Sequence, residues 1–367
     1  RYTDHDNEIL PFAPEVAEYW TPVDQYIGGD DHAVMHLIYT RFWSKVMRDI
    51  GLVKFDEPVK RLLTQGMVVG ETFFDDSSGK RIYYPPDGVE VTRDEKGKMT
   101  GARASDGTEL KYAIERMSKS KGNGVDPDEM VEIYGADASR MFVLFAAPVD
   151  NELVWHEAGI EGAVRFLQRL WRFVGKWRFA ITGELPALSS QSELSEAAKM
   201  LRQKTHQTIQ RVDQSLDTLQ FNTPVAGLME LLNSLYDAKL EPDTAAAKDV
   251  AAVKESIMSM LLMLAPFAPH TAEELYSNVV GNENGLIANG ARFPVFSEDL
   301  ARADVIEIAV QINGKLRSRI FAASDSANDA LEQMALADEK VREHIGGSDV
   351  VKVIVVPKRL VNIVVRG

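Results

Sequence analysis

From Gly162 to Phe179 the sequence repeats one interval in two registers, and few backbones satisfy both. Phe166, Leu170, Phe173 and Trp177 recur at i, i+4, i+7 and i+11, and Arg165, Arg169, Arg172 and Lys176 recur one residue earlier. An α-helix, at 3.6 residues per turn, lays each set in a row along its length, side by side. Leu167, Trp171 and Val174 widen the apolar row, so this helix needs a hydrophobic partner on one side and carries cations beside it. The stretch holds five basic residues and no acidic one. Its aromatics read as core, because stacking on bases requires exposed rings. Its cations read as solvated surface or as a face for phosphates.

Helical texture continues from Glu157 to about Tyr276, broken at Thr182 to Ser190, Asn222-Thr223-Pro224, Glu241-Pro242 and Pro266 to Pro269. Four long helices with short connections predict an antiparallel bundle. The preceding chain is different. Val23 to Ile27 predicts a strand ending in Gly28-Gly29, followed by a helix over His32 to Ile50, a helix over Pro58 to Leu63 and a strand over Met67 to Val69. Together these read as part of a parallel α/β sheet, whose ligands sit at the carboxyl ends of the strands. Gly70 to Ala113 reads as a small β-rich insertion with turns at Glu95-Lys96-Gly97 and Asp106-Gly107. Asp126-Pro127 starts a helix, with Asp as cap and Pro at the first turn, and Asp137 to Phe145 continues helically. Gly281 to Arg292 reads as a linker. Val305 to Ile312, the Asn313-Gly314 turn and Leu316 to Phe321 form a hairpin, followed by a helix over Asn328 to His344 and strands near Val351 and Val361, an α+β tail.

Composition narrows the function. The 367 residues contain 41 Lys and Arg against 55 Asp and Glu, a net charge of −14, so bulk nonspecific nucleic-acid binding is disfavoured and a polyanion must be met by local patches. Residues from Ala301 onward hold ten basic and nine acidic side chains. The chain has no cysteine, which excludes disulfides, thiolate metal sites and a cysteine nucleophile in this segment. The longest apolar run, Ile257 to Ala268, is interrupted by Ser259 and Pro266 and falls short of the ~20 residues of a membrane span. A chain opening at Arg1 reads as an excised fragment.

Two places can carry chemistry. His32 and His36, four apart on the expected helix, invite a zinc reading, but Ala33 stands where the metalloprotease motif has its Glu. Gly28-Gly29 and Asp31 suggest a nucleotide site at a strand end, the glycines admitting close backbone approach and the carboxylate accepting from ribose hydroxyls. The run Arg116-Met117-Ser118-Lys119-Ser120-Lys121-Gly122-Asn123 is more specific: alternating hydroxyl and ammonium groups on a glycine-bounded loop can wrap the phosphates of ATP. The order of a Walker loop is absent.

Arg116 to Ser120 resembles the "KMSKS" signature of class I aminoacyl-tRNA synthetases. Tyr19 to Gly29, His32-Ala33, Met35-His36-Leu37, Leu62 to Val68, Phe221-Asn222-Thr223 with Leu228 to Leu231, and Ala265 to His270 resemble the bacterial leucyl-tRNA synthetases in order and spacing. The resemblance implies a cytoplasmic, non-membrane, monomeric enzyme that activates leucine with ATP and Mg2+ and transfers it to tRNA-Leu. It implies that Arg116, Ser118, Lys119 and Ser120 serve catalysis, Lys119 as the main stabiliser of the phosphates. It further implies that Gly29, Asp31, His32, His36, Gly66, Met67, Val68, Met117 and Lys119 contact ATP. Arg165, Arg169, Arg172, Lys176, Lys315, Arg317 and Arg319 become candidates for tRNA, and no metal ligands are assigned.

The organisation it implies is multidomain α/β plus all-α. A partial Rossmann-like catalytic domain occupies 1–69, a leucine-specific-type insertion 70–113, and the signature loop with connecting helices 114–156. An anticodon-arm bundle follows at 157–280, a linker at 281–300 and a C-terminal α+β tRNA-binding domain at 301–367. The family's "HIGH" signature, editing domain and zinc module are expected upstream, so this segment alone is expected to be inactive. A noncatalytic tRNA-binding protein is the alternative reading. Three positions depart from the family pattern: Arg116 replaces Lys, Asp31 replaces Glu, and Lys358 stands where Gly is usual.

Overall fold

The computed structural model of the protein describes residues 2–366 except 96, 98, 189–192, 282–284, 303–304, 324–325 and 357–358. Two compact units form, one of residues 1–184, 211–233 and 257–293, the other of residues 185–210, 234–256 and 294–367. Helix and sheet are mixed, with three sheets.

In the first unit, α1 (Pro14–Trp20) precedes β1 (Tyr26–Gly29), which pairs in parallel with β2 (Leu62–Gln65) so that Gly29 lies opposite Gln65. Between them runs α2 (His36–Asp49). The helix expected over Pro58 to Leu63 is absent. Val59 bridges Val23, the Lys60 N–H donates to the Val23 carbonyl at 2.8 Å, and Tyr26 donates to Arg61 at 2.9 Å. Pro58 suits a helix start, but pairing with β1 satisfies these backbone groups instead, a contact that local pattern does not reveal.

The second sheet centres on β3 (Val68–Asp75), which is antiparallel to β4 (Ile82–Tyr84) and β7 (Glu109–Arg116) and parallel to β8 (Leu153–Val154). Beyond β7 lie β6 (Met99–Ala104) and β5 (Val89–Arg93). Phe73, Met99, Ala102, Ala104 and Leu110 form its small core; Leu110 is flanked by exposed residues as on a one-sided sheet, whereas Phe73 lies in a run, Thr72 to Phe74, that is buried on both faces. Asp126 caps α3 (Pro127–Tyr134), its carboxylate accepting from the Asp128 N–H, and α4 (Ala136–Phe145) and α5 (Glu157–Thr182) follow. Phe166, Leu170, Phe173 and Trp177 of α5 are buried, as their spacing requires. Trp171 departs from that reading, being 46% exposed.

Three helices, α6 (Glu196–Asp217), α7 (Asn222–Asp237) and α8 (Ala247–Leu264), contribute turns to both units. The first unit ends with α9 (Pro269–Val280), packed against α4 and α5, and α10 (Gly285–Ala288), a short helix within the stretch expected to be linker.

In the second unit, Leu194, Ala198 and Ala252 pack together, the Thr205 hydroxyl donates to Ser256 Oγ at 2.8 Å, and Arg202 pairs with Glu255 at 2.6 Å. After α11 (Glu298–Ala301) comes a four-stranded sheet in the order β10 (Lys315–Ala323), β9 (Val305–Ile312), β12 (Leu360–Arg366), β11 (Asp349–Val356). Ile308, Val310, Ile320, Val361 and Ile363 pack with Leu331 of α12 (Asn328–Ala337) and Val341 of α13 (Glu339–Ile345). The single helix expected over Asn328 to His344 is thus two. Asp338 leaves the helical conformation and its carboxylate accepts the Val341 N–H at 3.0 Å, starting α13.

Candidate functional site

The site begins where β1 ends. Gly28 and Gly29 lie opposite Thr64 and Gln65, with nothing within 4 Å of a Cβ built at either glycine, so a ligand can approach this backbone closely. A short 3-10 turn, Asp30–Ala33, follows, and α2 starts only at His36. His32 and His36 therefore do not share a helix, and the expected arrangement is corrected. Their rings meet edge to face at 5.9 Å, while Tyr26 stacks on His36 at 5.8 Å and hydrogen-bonds His36 Nε2 through its hydroxyl. Gly66 follows β2. A Cβ there would lie 1.9 Å from the Asn151 carbonyl oxygen, so only glycine fits. The Gly66 N–H donates to Val149, and the carbonyls of Met67 and Val68 accept from Leu153 and Met117. Part of the backbone expected to contact ATP is thus already engaged in holding the strand.

Strand β7 delivers the signature loop to this place. Arg116, its last residue, forms a two-pronged ion pair with Asp31, one prong 2.6 Å long. The two sequence departures therefore meet: a planar fork spans to a carboxylate shorter than the usual Glu. The Met117 N–H donates to Val68 at 3.1 Å, and a Cβ on Gly70 would stand 3.2 Å from the Met117 methyl. Ser118 and Ser120 hydroxyls lie 3.2 Å apart, and Lys119–Lys121 form one 3-10 turn that closes at Gly122 in the left-handed region, φ +65°. Lys121 pairs with Glu115 at 2.6 Å and Arg81 pairs with the same carboxylate at 2.8 Å. The hydrogen bond from Lys121 holds the Glu115 carboxyl below the usual carboxylate range, with Arg81 adding to it. Lys119 is exposed and has no side-chain partner among the described residues, which leaves its ammonium available to a ligand. Thr72 and Asn123, which hold this loop from below, were not singled out from sequence as site residues. For Asn123 the signal was an amide inside the signature run itself, whereas Thr72, on β3 and far from the run in sequence, carried none.

Residues 111–156 match the family model "tRNA synthetases class I (I, L, M and V)", and residues 198–331 match "Anticodon-binding domain of tRNA ligase". The chain is 43% identical to the leucine–tRNA ligase of Hydrogenovibrio crunogenus over 100% of its own length and 41% of the relative's. It is 45% identical to that of Cellvibrio japonicus over 95% of the chain and 40% of the relative. Over its whole length the chain is homologous to part of the leucine–tRNA ligases. It spans about two-fifths of the length of those curated relatives. A crystal structure of an Agrobacterium radiobacter LeuRS in a ternary complex with tRNA and LeuAMS is similar at a TM-score of 0.62 and 28% identity, covering 97% of this chain and 39% of that one.

The basic rows of the chain stand apart from the loop. Arg165, Arg172 and Lys176 are exposed along α5 and Arg169 is half-buried, so the row exists. It is locally engaged, however. Arg165 pairs with Glu161 at 3.3 Å, Arg169 donates to Asn233 at 2.9 Å, and Arg172 donates to the Gln168 carbonyl at 3.3 Å. This row precedes the span matched by the anticodon-binding model. In the tail, Lys315, Arg317 and Arg319 are all exposed, but their spacing of two residues does not place all three on one face of the strand. A bulge between Leu316 and Ser318 inserts Arg317 as an extra residue, so only Arg317 and Arg319 share the face opposite buried Ser318 and Ile320. Lys358 lies outside the described residues. No group of three or more His, Asp or Glu side chains able to hold a metal occurs among the described residues, and none of their helices is long and apolar enough to cross a membrane.

Proposed function

We propose that this chain is the part of a leucine–tRNA ligase that supplies the phosphate-facing signature loop and surfaces for tRNA-Leu. The observation that carries the reading is the Arg116–Asp31 pair, which brings a Ser/Lys loop onto the open glycine end of a parallel strand pair. In this reading residues 1–69 belong to a Rossmann-like catalytic domain, 70–113 to a leucine-specific insertion, 114–156 to the loop and its connecting helices, 157–280 to an anticodon-arm bundle and 301–367 to a tRNA-binding tail.

The chemistry would be attack of the leucine carboxylate on the α-phosphate of ATP with loss of pyrophosphate, then attack of a terminal ribose hydroxyl of tRNA on the carbonyl of the leucyl-adenylate, forming the ester and releasing AMP. The contribution of these residues is positioning and electrostatics. Lys119, carrying an unpaired ammonium, would neutralise charge growing on the departing pyrophosphate, while Ser118 and Ser120 would donate hydrogen bonds to its oxygens. His36, oriented by Tyr26, and the backbone at Gly29 and Gly66 to Val68 would border the nucleotide. Asp31 would exchange its guanidinium partner for ribose when ATP enters. Mg2+ would enter with ATP, since no group of three or more metal-holding side chains occurs among the described residues.

Leucine-dependent ATP–pyrophosphate exchange tests the reading. The purified 367-residue chain is expected to show none, because it spans two-fifths of a ligase. In a longer ligase containing this segment, Lys119→Ala is expected to lower exchange about 10²-fold or more. Exchange by the chain alone, or an unaffected Lys119→Ala enzyme, refutes it.

A further inference from the structure

Asn123 lies outside the groups assigned above to ATP or tRNA, yet it is only 3% exposed and every polar atom of its side chain is engaged. Its Oδ1 accepts the Ser118 N–H at 2.8 Å. Its Nδ2 donates to Thr72 Oγ1 at 2.7 Å and to the Arg116 carbonyl at 3.2 Å. Thr72, fully buried on β3, in turn donates to the Gly70 carbonyl at 3.1 Å. An amide has two donors and an acceptor oxygen, and here all three functions are used. Buried polar groups this fully satisfied specify one arrangement, because losing any partner strands another.

The geometry divides the loop. Asn123 grips the backbone on both sides of Met117, whose own N–H is tied to Val68, so residues 116–118 are rooted on β3. Past that root only the return limb is held again, by the Lys121–Glu115 pair at 2.6 Å, and the tip between them is open. Lys119 has no side-chain partner among the described residues, Ser120 touches only the Ser118 hydroxyl, and the return limb is a 3-10 turn closing with bonds of 3.2 and 3.3 Å into Gly122. We infer that Asn123, backed by Thr72, is the positioning residue of the signature loop: it fixes the root so that Lys119 and Ser120 present their donors to a triphosphate at one height above β3. It acts through Ser118 and Arg116 and touches no reacting atom. The triphosphate part of this inference rests on the function proposed above.

Trypsin, which cleaves after Lys119 and Lys121, reads the loop directly in the 367-residue chain. Asn123→Ala is expected to raise the initial rate of loop cleavage about tenfold, and Thr72→Val several-fold, although Thr72 lies on a strand outside the loop. Thr72→Ser, which keeps the hydroxyl, is expected to restore the original rate. Cleavage after Arg302, in the other compact unit, serves as the control for general unfolding and is expected to stay unchanged. With Mg·ATP as protectant, the concentration giving half-protection is expected to rise in Asn123→Ala and Thr72→Val, while protection at saturation persists. Unchanged loop cleavage in both variants overturns the inference, as does equal acceleration at Arg302 or failure of Thr72→Ser to rescue. If Mg·ATP does not protect even the unmodified chain, the nucleotide reading of the loop fails, while the rates without ATP still decide the role of Asn123.

Discussion

Helices α2 and α5 both carry large aromatics at helical spacing, and the two sets end in opposite surroundings. Phe166, Phe173 and Trp177 of α5, a helix packed against α4 and α9, are buried, Trp177 to 1% exposure. Tyr39, Phe42 and Trp43 of α2 stand more than half exposed, Trp43 at 57%, beside a sheet of only two strands. Spacing therefore states which side of a helix seeks cover, and the supply of neighbouring elements decides whether cover exists. The contrast also separates energy from appearance: an aromatic row stabilises a fold only in proportion to the area it removes from water.

The sharpest way to break this comparison is to truncate one tryptophan from each helix. Trp177→Ala is expected to cost about 3–5 kcal/mol of unfolding free energy, whereas Trp43→Ala should stay within about 0.5 kcal/mol, measured by urea titration. Equal losses would mean that α2 is covered after all. Helix starts give a smaller contrast. Asp137, on α4, accepts the His270 and Thr271 N–H groups at 3.3 and 2.6 Å and so caps α9, while Met35 gives α2 no side-chain cap. Asp137→Ala is expected to cost about 1–2 kcal/mol by the same titration, with hydrogen exchange rising first in the opening turn of α9.

The smallest effect is electrostatic and depends on pH. Glu57, bound mainly by a hydrogen bond from Arg41 of α2, has its pKa lowered to about 2, yet the pair is open to water. Glu255 is partly buried, and although burial pushes its carboxyl up, His206 and Arg202 outweigh that and hold it below its ordinary value of 4.5. A depressed carboxyl supplies stability that is complete above the unfolded value and is lost as pH falls through the folded one. Glu255→Gln is therefore expected to destabilise by about 1 kcal/mol at pH 7, a figure discounted for partial exposure, with the gap to the unmodified chain closing below pH 4.5. Glu57→Gln should leave the urea midpoint unmoved across the same range, because exposed pairs are screened. A pH-independent Glu255→Gln gap would remove the ionic account.

What could be read in advance follows the range of the forces involved. The rows of α5, the Asp126 cap, the Asn313-Gly314 hairpin and the Ser/Lys loop are written in neighbouring residues, and local geometry enforces them. The parallel pairing of Leu62–Gln65 with Tyr26–Gly29 is not local, so a helix over Pro58 to Leu63 was the natural expectation from Pro58 and the leucines. The bulge at Arg317 and the break at Asp338 are each one residue wide. Only Asp338 had a signal, an aspartate placed three residues before the Val341 N–H that it caps. At the site, the residue types were legible but their pairing was not. Asp31 and Arg116 lie far apart in sequence, and nothing local announces that one neutralises the other.

The tight crossing at Gly66 has a genetic consequence. What a side chain there would strike is the carbonyl oxygen of Asn151, a backbone atom that every amino acid carries. Shrinking the residue at 151 cannot relieve the clash, so a lesion at 66 has no suppressor by substitution at its contact. In a saturation library, position 66 should read as glycine alone, while Gly28 and Gly29, with open space around them, should tolerate small residues in selection for folding and lose them only in selection for activity.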